Sequence, residues 1–127
     1  MTQACVPHMK PGAAIVNSGS VTGLLGNSSI IDYSMTKGGI HSFTRALSGS
    51  LAALGIRVNA VAPGPVWTPL NPTDNPAKME VFGAETRMKR PAQPEEIAPA
   101  YLFLASPQMS SFITGEILPV IGGYTDR

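Results

Sequence analysis

Tyr33 and Lys37 stand four positions apart and could work as a proton-transfer pair. If this stretch is helical, the two side chains lie one turn apart on the same face. A phenol has a pKa near 10, which is too high for easy proton exchange at neutral pH. A cation about 4 Å away contributes roughly 4 kcal/mol at an effective dielectric constant of about 20, which lowers that pKa by about three units. We therefore expect Lys37 to tune Tyr33 as a general acid/base, with Ser20 assisting from upstream.

A Tyr-x-x-x-Lys spacing alone is unspecific, because an exposed surface pair gives the same pattern. The flanking elements therefore decide whether the pair is part of a catalytic site. Residues 13–18 form an apolar run typical of a strand buried in a parallel sheet. The loop Gly19–Ser29 follows, and Ile56–Ala62 predicts a second strand that ends in Pro63-Gly64. Ligands bind outside the carboxyl ends of parallel strands, so the Ser20 loop and the Pro63 turn should converge.

A long helix is predicted over Asp32–Leu54, because apolar residues recur there in steps of three and four. These residues are Ile40, Phe43, Leu47, Leu51 and Leu54. Gly38 and Gly39 disfavour a helix interior, which indicates that a cofactor or a neighbouring helix approaches the backbone closely. Gly55 is a natural helix end.

The rest of the chain supplies a long loop, a helix and a last strand. Residues 70–91 lack periodicity and predict a lid, with one short helix at 78–83. Pro94 with Glu95 and Glu96 begins a helix, and Pro99 predicts a distortion or a later start. Phe112–Ile121 predicts a strand that Pro119 confines to a sheet edge. With the end of a helix in residues 1–10, this order predicts parallel α/β layers in one domain, 1–127.

Composition excludes several classes of function. The 127 residues are 43% hydrophobic and 13% charged, which indicates extensive burial in a core, in an oligomer interface or under a partner. A net charge of +1 gives no sign of nucleic-acid binding, and no apolar run is long enough to span a membrane. The start lacks the features of a signal peptide. Cys5 stands alone, so we expect no internal disulfide and a cytoplasmic setting.

Other candidate site residues have simpler explanations. His8 and His41 lack partners for a metal site, so we expect ordinary helix positions and no metal. Asp32 is expected at the helix start and not as a second acid. Trp67 could face a substrate or pack internally.

Together these motifs resemble the short-chain dehydrogenases/reductases over almost the whole chain. The matching stretches are Val16–Ser20 for the strand with the catalytic serine, Tyr33–Ile40 for the active-site helix, Ile56–Thr68 for the next strand and the nicotinamide loop, Pro94–Ala98 with Phe103–Ser106 for the late helix, and Ile113–Ile117 with Gly122–Gly123 for the last strand. Residues 82–83 and 88–99 are also similar to a bacterial subgroup linked to general stress and to NADP-dependent aldehyde reduction.

The resemblance implies roles for named residues. Tyr33 would exchange a proton with the carbonyl or alcohol oxygen, and Ser20, thirteen positions before it, would hydrogen-bond that oxygen. Lys37 would lower the pKa of Tyr33 and hold the nicotinamide ribose. The remaining cofactor contacts would come from Pro63, Gly64, Val66 and Thr68, with the Val66 backbone and Thr68 reaching the carboxamide. The implied reaction is hydride transfer between NAD(P) and an alcohol, aldehyde or ketone, with NADP favoured by the subgroup.

The sequence departs from the family pattern at its front. Gly19 stands where the family often has Ser or Thr, and the Gly-rich phosphate loop and a further catalytic Asn do not appear. Gly19–Gly26 lacks the G-x-G-x-x-G spacing, so it is not that loop. We therefore expect the C-terminal half of a Rossmann-like, doubly wound parallel sheet, with about three strands and the N-terminal half absent. The resemblance also implies a homodimer or a homotetramer.

A second hypothesis concerns the chain as it stands. The chain would be a catalytically idle fragment or an oligomerisation piece, because it lacks the dinucleotide phosphate site. Its strand beginning at Ala13 would then expose an edge that invites association.

Overall fold

The structure is a computed structural model that describes residues 1–70 and 81–124. Its strands are β1 (Ala14–Ser18), β2 (Arg57–Pro63) and β3 (Ile117–Val120). Its helices are α1 (Thr2–Cys5), α2 (Thr22–Leu25), α3 (Ile31–Leu51), α4 (Pro94–Ala105) and α5 (Pro107–Ser110), with 3-10 turns at Val6–His8 and Ala52–Leu54. No helix of the described residues is long and apolar enough to cross a membrane.

The three strands form one parallel sheet in the order β1-β2-β3, so the α/β class is confirmed. Ala14 pairs with Arg57, and Ala60 pairs with Ile117. The central strand β2 is buried on both faces. The strand that was predicted to be buried, β1, lies instead at an edge of the described sheet and is only partly buried. Pro119 lies in β3, which is an edge strand of the described sheet, so that prediction is also confirmed.

The last strand is shorter than the predicted Phe112–Ile121. Gly115 adopts a φ of +79°, which breaks the extended run before Ile117. The buried side chain of Asn59 holds this bend from both sides, because its Nδ2 donates to the Ile113 carbonyl at 2.9 Å and its Oδ1 accepts the Glu116 N–H at 3.0 Å. A contact between distant segments therefore decides where β3 begins.

Helix α3 confirms the long predicted helix, but only part of the apolar stripe lies on its buried face. The residues that face the sheet are His41, Thr44, Ser48 and Leu51, while Phe43 and Leu54 stay 45% and 51% exposed. Small polar side chains let the helix approach closely, and Thr44 Oγ1 accepts the Asn17 amide at 2.9 Å. Gly55 follows with a φ of +68° and ends the helical segment as predicted.

Helix α4 covers the opposite face of the sheet, where Ile97 and Leu104 pack against Val61. The helix begins at Pro94 and runs through Pro99, so the predicted alternative of a later start is wrong. Glu96 fixes this start by accepting the Gln93 N–H at 2.8 Å. Arg90 donates to both oxygens of Glu96 at 2.7 Å, and these bonds hold the pKa of Glu96 at about 2.

Two further predictions concern the loop at Gly19–Ser29 and a short helix at 78–83. The loop predicted at Gly19–Ser29 contains the short helix α2, whose start lies against Ser20. Half of the short helix predicted at 78–83, residues 78–80, lies outside the described part of the chain.

Candidate active site

Ser20 lies just beyond the carboxyl end of β1 and is held there by the neighbouring strand. The backbone N–H of Gly19 donates to the Val61 carbonyl at 2.7 Å. The N–H of Val21 donates to the Pro63 carbonyl at 2.8 Å, which joins the Ser20 loop directly to the Pro63 turn. The predicted convergence of these two loops is therefore present in the structure.

The Ser20 side chain is 7% exposed and oriented by Thr22. Its Oγ accepts the Thr22 backbone N–H at 3.2 Å and the Thr22 hydroxyl at 3.1 Å. Both bonds use lone pairs of the serine oxygen, so the hydroxyl proton of Ser20 remains available to donate to a ligand.

Tyr33 and Lys37 lie together in the first two turns of α3. Lys37 Nζ is 5.5 Å from the centre of the Tyr33 ring, within the range of a cation–π contact. The same ammonium donates to the Ser18 carbonyl at 3.1 Å and so ties the start of α3 to the end of β1. The Tyr33 side chain is 45% exposed and its hydroxyl makes no hydrogen bond within residues 1–70 and 81–124.

Within the described residues, the ammonium group of Lys37 has free N–H donors that could bind the two hydroxyl groups of a ribose. An ammonium carries three N–H bonds, and in the described part of the chain only the Ser18 carbonyl accepts one of them. The remaining donors lie at the carboxyl edge of the sheet, beside the half-exposed phenol. Neighbouring hydroxyl groups of a nicotinamide ribose fit this donor set.

The predicted nicotinamide loop continues from β2 across the same edge. Pro63 ends the strand, and the Gly64 N–H donates to the Val120 carbonyl at 2.9 Å. Val66 forms a parallel bridge with Ala92, and half-buried Thr68 follows it. These contacts hold the backbone of the loop against β3 and the segment before α4. Trp67 packs on Phe82, with ring centres 6.4 Å apart.

The second half of the predicted lid is hydrogen-bonded to residues that follow β3. Met88 N–H donates to the Gly122 carbonyl at 3.0 Å, and Arg87 Nε donates to the Tyr124 carbonyl at 2.8 Å. A cavity of about 170 Å³ lies between this segment and the Ser20 loop, with Thr22, Asn27 and Glu85 among its lining residues. Tyr33 lies outside its wall and lines an open hollow with residues 28–32.

Sequence reasoning missed two groups near this site. Glu85 lines the cavity, but nothing in residues 70–91 marks it as a site residue. His41 lies in α3, as predicted, but it is buried against Ser20, which was not predicted. Its position four residues after Lys37, and therefore on the same helix face, is the signal that could have found it.

Similarity to known proteins shows the family of this chain. A family model described as enoyl-(acyl carrier protein) reductase matches residues 1–125. A crystal structure from Brucella melitensis, described as a short-chain dehydrogenase/reductase of the glucose/ribitol dehydrogenase type, superimposes with a TM-score of 0.86 at 38% identity, covering 98% of this chain and 50% of that one. The chain belongs to the short-chain dehydrogenases/reductases.

Relatives among the short-chain dehydrogenases/reductases also confirm the resemblance to the narrower subgroup. The chain is 51% identical to NADPH-dependent aldehyde reductase 1 of Arabidopsis thaliana and 48% identical to general stress protein 39 of Bacillus subtilis. Each match covers 97% of this chain and 43% of the relative. The chain thus spans less than half the length of these relatives, and its three-stranded sheet corresponds to part of the Rossmann-like sheet of the family.

Proposed function

We propose that the protein carrying this chain is an NAD(P)-dependent oxidoreductase that interconverts a carbonyl compound and an alcohol. The observation that carries the proposal is the position of Lys37. Its ammonium is bonded to the end of β1 beside Ser20 and also lies 5.5 Å from the Tyr33 ring. This arrangement places a phenol, a cation and a serine hydroxyl at one edge of the sheet, where parallel α/β proteins bind ligands.

In the direction of reduction, Tyr33 donates its phenolic proton to the carbonyl oxygen as that oxygen gains negative charge. The nearby Lys37 ammonium stabilises the phenolate that remains, and a solvent proton restores the phenol. Ser20 donates a hydrogen bond from its hydroxyl group to the same oxygen and keeps its proton, because its lone pairs already accept from Thr22. The nicotinamide supplies the hydride when bound, so one aldehyde, one NAD(P)H and one proton give one alcohol and one NAD(P)⁺.

The chain's own residues would also orient the nicotinamide. Lys37 would hold the ribose hydroxyls through the donors that Ser18 does not use. Pro63, Gly64, Val66 and Thr68 would line the ring, with the Val66 backbone and Thr68 at the carboxamide. The bridge between Val66 and Ala92 supports this role, because it fixes the loop before any ligand arrives.

We propose NADP as the preferred cofactor and a small aldehyde, ketone or alcohol as the substrate. Both choices are supported by the similarity to the NADPH-dependent aldehyde reductase of Arabidopsis. Residues 70–91 would act as the lid over the substrate, and no metal would take part. The chain would work in the cytoplasm, where a single cysteine stays reduced.

We also propose that the protein is a homodimer or a homotetramer that packs through α3. Met35 and Phe43 lie on the outward side of this helix and are 69% and 45% exposed. Large apolar side chains exposed together in this way are typical of interfaces.

The activity can be tested with a form of the protein that spans the full length of its relatives. That form should consume NADPH in the presence of a short aliphatic or aromatic aldehyde, at a rate proportional to enzyme concentration. NADH in place of NADPH is the control and should give a lower kcat/KM. Failure to oxidise either cofactor with any member of an aldehyde and ketone panel would refute the proposal.

The second candidate, an idle fragment or oligomerisation piece, applies to the 127-residue chain itself. It is supported by the edge of β1 that pairs with no other described strand. Titration of the purified chain with NADPH, followed by cofactor fluorescence, separates the candidates. The fragment hypothesis predicts no saturable binding in the micromolar range, because the chain lacks a Gly-rich phosphate loop. Micromolar binding would refute it.

A further inference from the structure

His41 is a buried titratable side chain that the proposed reaction does not use. It is 2% exposed, and its Nε2 accepts the backbone N–H of Ser20 at 3.4 Å. Because Nε2 is the acceptor, the ring proton of the neutral imidazole lies on Nδ1. Nδ1 is buried and has no hydrogen-bond partner in the described part of the chain. Among the described residues, the hydrogen bond from Ser20 is therefore the one that holds the imidazole ring in place.

Two glycines of the Ser20 loop make room for this ring. A Cβ atom added to Gly19 would overlap His41 Nε2, and one added to Gly23 would lie 2.7 Å from His41 Cε1. The Gly23 position would also fall 2.7 Å from the carbonyl carbon of Lys37. The loop and the helix are thus in close contact on both sides of the imidazole. The ring has little space to withdraw from Ser20 without moving the loop.

The charges around His41 disfavour its protonation. The charged groups that face the ring are Lys37 and Arg45, both cations on its own helix. Residues 19–26 carry no charged side chain, and β1 has none. β2 carries only Arg57, whose guanidinium bonds the end of α4 on the other face of the sheet.

Burial is the main cause that lowers the pKa of His41 below its usual value, and the two cations add to this effect. The Gly23 backbone raises the pKa in opposition, although no bond of good geometry to Nδ1 is formed. The ring is therefore neutral at pH 7 and above.

We infer that neutral His41 is a positioning residue that fixes Ser20 by accepting its backbone N–H, and that protonation of His41 Nε2 releases the Ser20 loop. A proton on Nε2 would place two N–H donors opposite each other across a 3.4 Å gap. The Ser20 N–H would then be buried without an acceptor, and the glycine contacts would force the loop to move. The effect of this coupling on catalysis rests on the proposed function, but the coupling of His41 to Ser20 does not.

The sign of the pH effect follows from the lowered pKa. Between that pKa and the usual histidine value, the unfolded chain binds the His41 proton more readily than the folded chain does. Folding stability and the position of Ser20 are thus maintained above the usual value. Both decline as the pH falls through the lowered pKa.

Nitrogen-15 NMR of the full chain tests the coupling without any need for turnover. We expect the imidazole of His41 to show the Nδ1–H tautomer at neutral pH. Its titration midpoint should lie below that of an unstructured peptide with one histidine in the same buffer. The Ser20 amide resonance should shift with the same midpoint. An Nε2–H tautomer, or a Ser20 resonance that stays constant while His41 titrates, would overturn the inference.

Two variants distinguish positioning from simple packing. His41→Gln can place an amide oxygen near the position of Nε2 and does not titrate, so Ser20 should lose its pH dependence and keep its protection from hydrogen exchange. His41→Phe keeps a ring without an acceptor, so exchange of the Ser20 N–H should accelerate about three- to tenfold, the effect of one lost hydrogen bond. Equal effects of both variants on Ser20 would overturn the inference. If the wild-type coupling is seen but the full-length form has no activity, the proposed function fails and this inference stands.

Discussion

Tyr33→Phe is expected to lower kcat by about 10²- to 10⁴-fold in the full-length form, the range that one general acid/base contributes. The phenyl ring keeps the volume and the contact with Lys37 but cannot donate a proton. KM for the aldehyde should change much less, since the loss concerns the transition state. Steady-state kinetics with saturating NADPH measure both quantities.

The fold should be unaffected by this substitution. The Tyr33 side chain is 45% exposed and its hydroxyl bonds nothing in the described residues, so stability should change by less than about 0.5 kcal/mol. Tyr101→Phe is a matched control, because it removes a phenol whose hydroxyl, among residues 1–70 and 81–124, bonds only the Ser18 side chain, at 2.7 Å, on the α4 side of the sheet. Its activity should stay within a few-fold of wild type. A Tyr33→Phe variant as active as this control would contradict the assigned role.

Arg57→Met is expected to lower the free energy of unfolding by about 2–3 kcal/mol, the largest stability effect that we predict. The Arg57 guanidinium is buried and donates to the Leu104 carbonyl at 2.8 Å and to the Ala105 carbonyl at 3.2 Å. It also donates to Ser110 Oγ at 3.0 Å. It therefore caps the last turn of α4 at the negative end of the helix dipole. Methionine fills similar space but removes all of these donors, so the Leu104 carbonyl keeps only its bond from Ser110 Oγ among the described residues and the Ala105 carbonyl loses the bond from Arg57.

Urea unfolding followed by circular dichroism measures this loss, with Arg45→Met as the control for removing an arginine. Arg45 is exposed on α3, so its substitution should change stability by less than about 0.5 kcal/mol. Arg57→Lys should fall between the two, because a lysine supplies the charge without the planar fork of donors. Equal midpoints for Arg57→Met and Arg45→Met would show that the buried guanidinium does not hold α4.

Strands and helices whose position depends on neighbouring residues could be predicted from the sequence. The apolar runs of β1 and β2, the helical steps of α3 and the Pro-Glu-Glu start of α4 each needed only neighbouring residues. The convergence of the Ser20 loop and the Pro63 turn also followed, because parallel strands place their carboxyl ends at one edge. That convergence is observed as the bond from Val21 N–H to the Pro63 carbonyl.

Features fixed by distant contacts could not be predicted in this way. The start of β3 depends on Asn59, which lies on another strand. The sheet-facing side of α3 depends on the fit of Thr44 and His41 against β1 and the Ser20 loop, as well as on Leu51 of the apolar stripe. The bonds from Arg87 and Met88 to Gly122 and Tyr124 join segments that show no shared pattern in the sequence.

Transfer of a deuterium label shows directly whether the protein moves a hydride from NADPH to a carbonyl carbon. The full-length form is supplied with an aldehyde and with NADPH that carries deuterium at the transferable position of the nicotinamide, and the alcohol is analysed by mass spectrometry. We expect one deuterium on the former carbonyl carbon, and a strongly reduced yield of that product with Tyr33→Phe. An unchanged aldehyde, or an alcohol whose new C–H hydrogen comes from water, would contradict the proposed function.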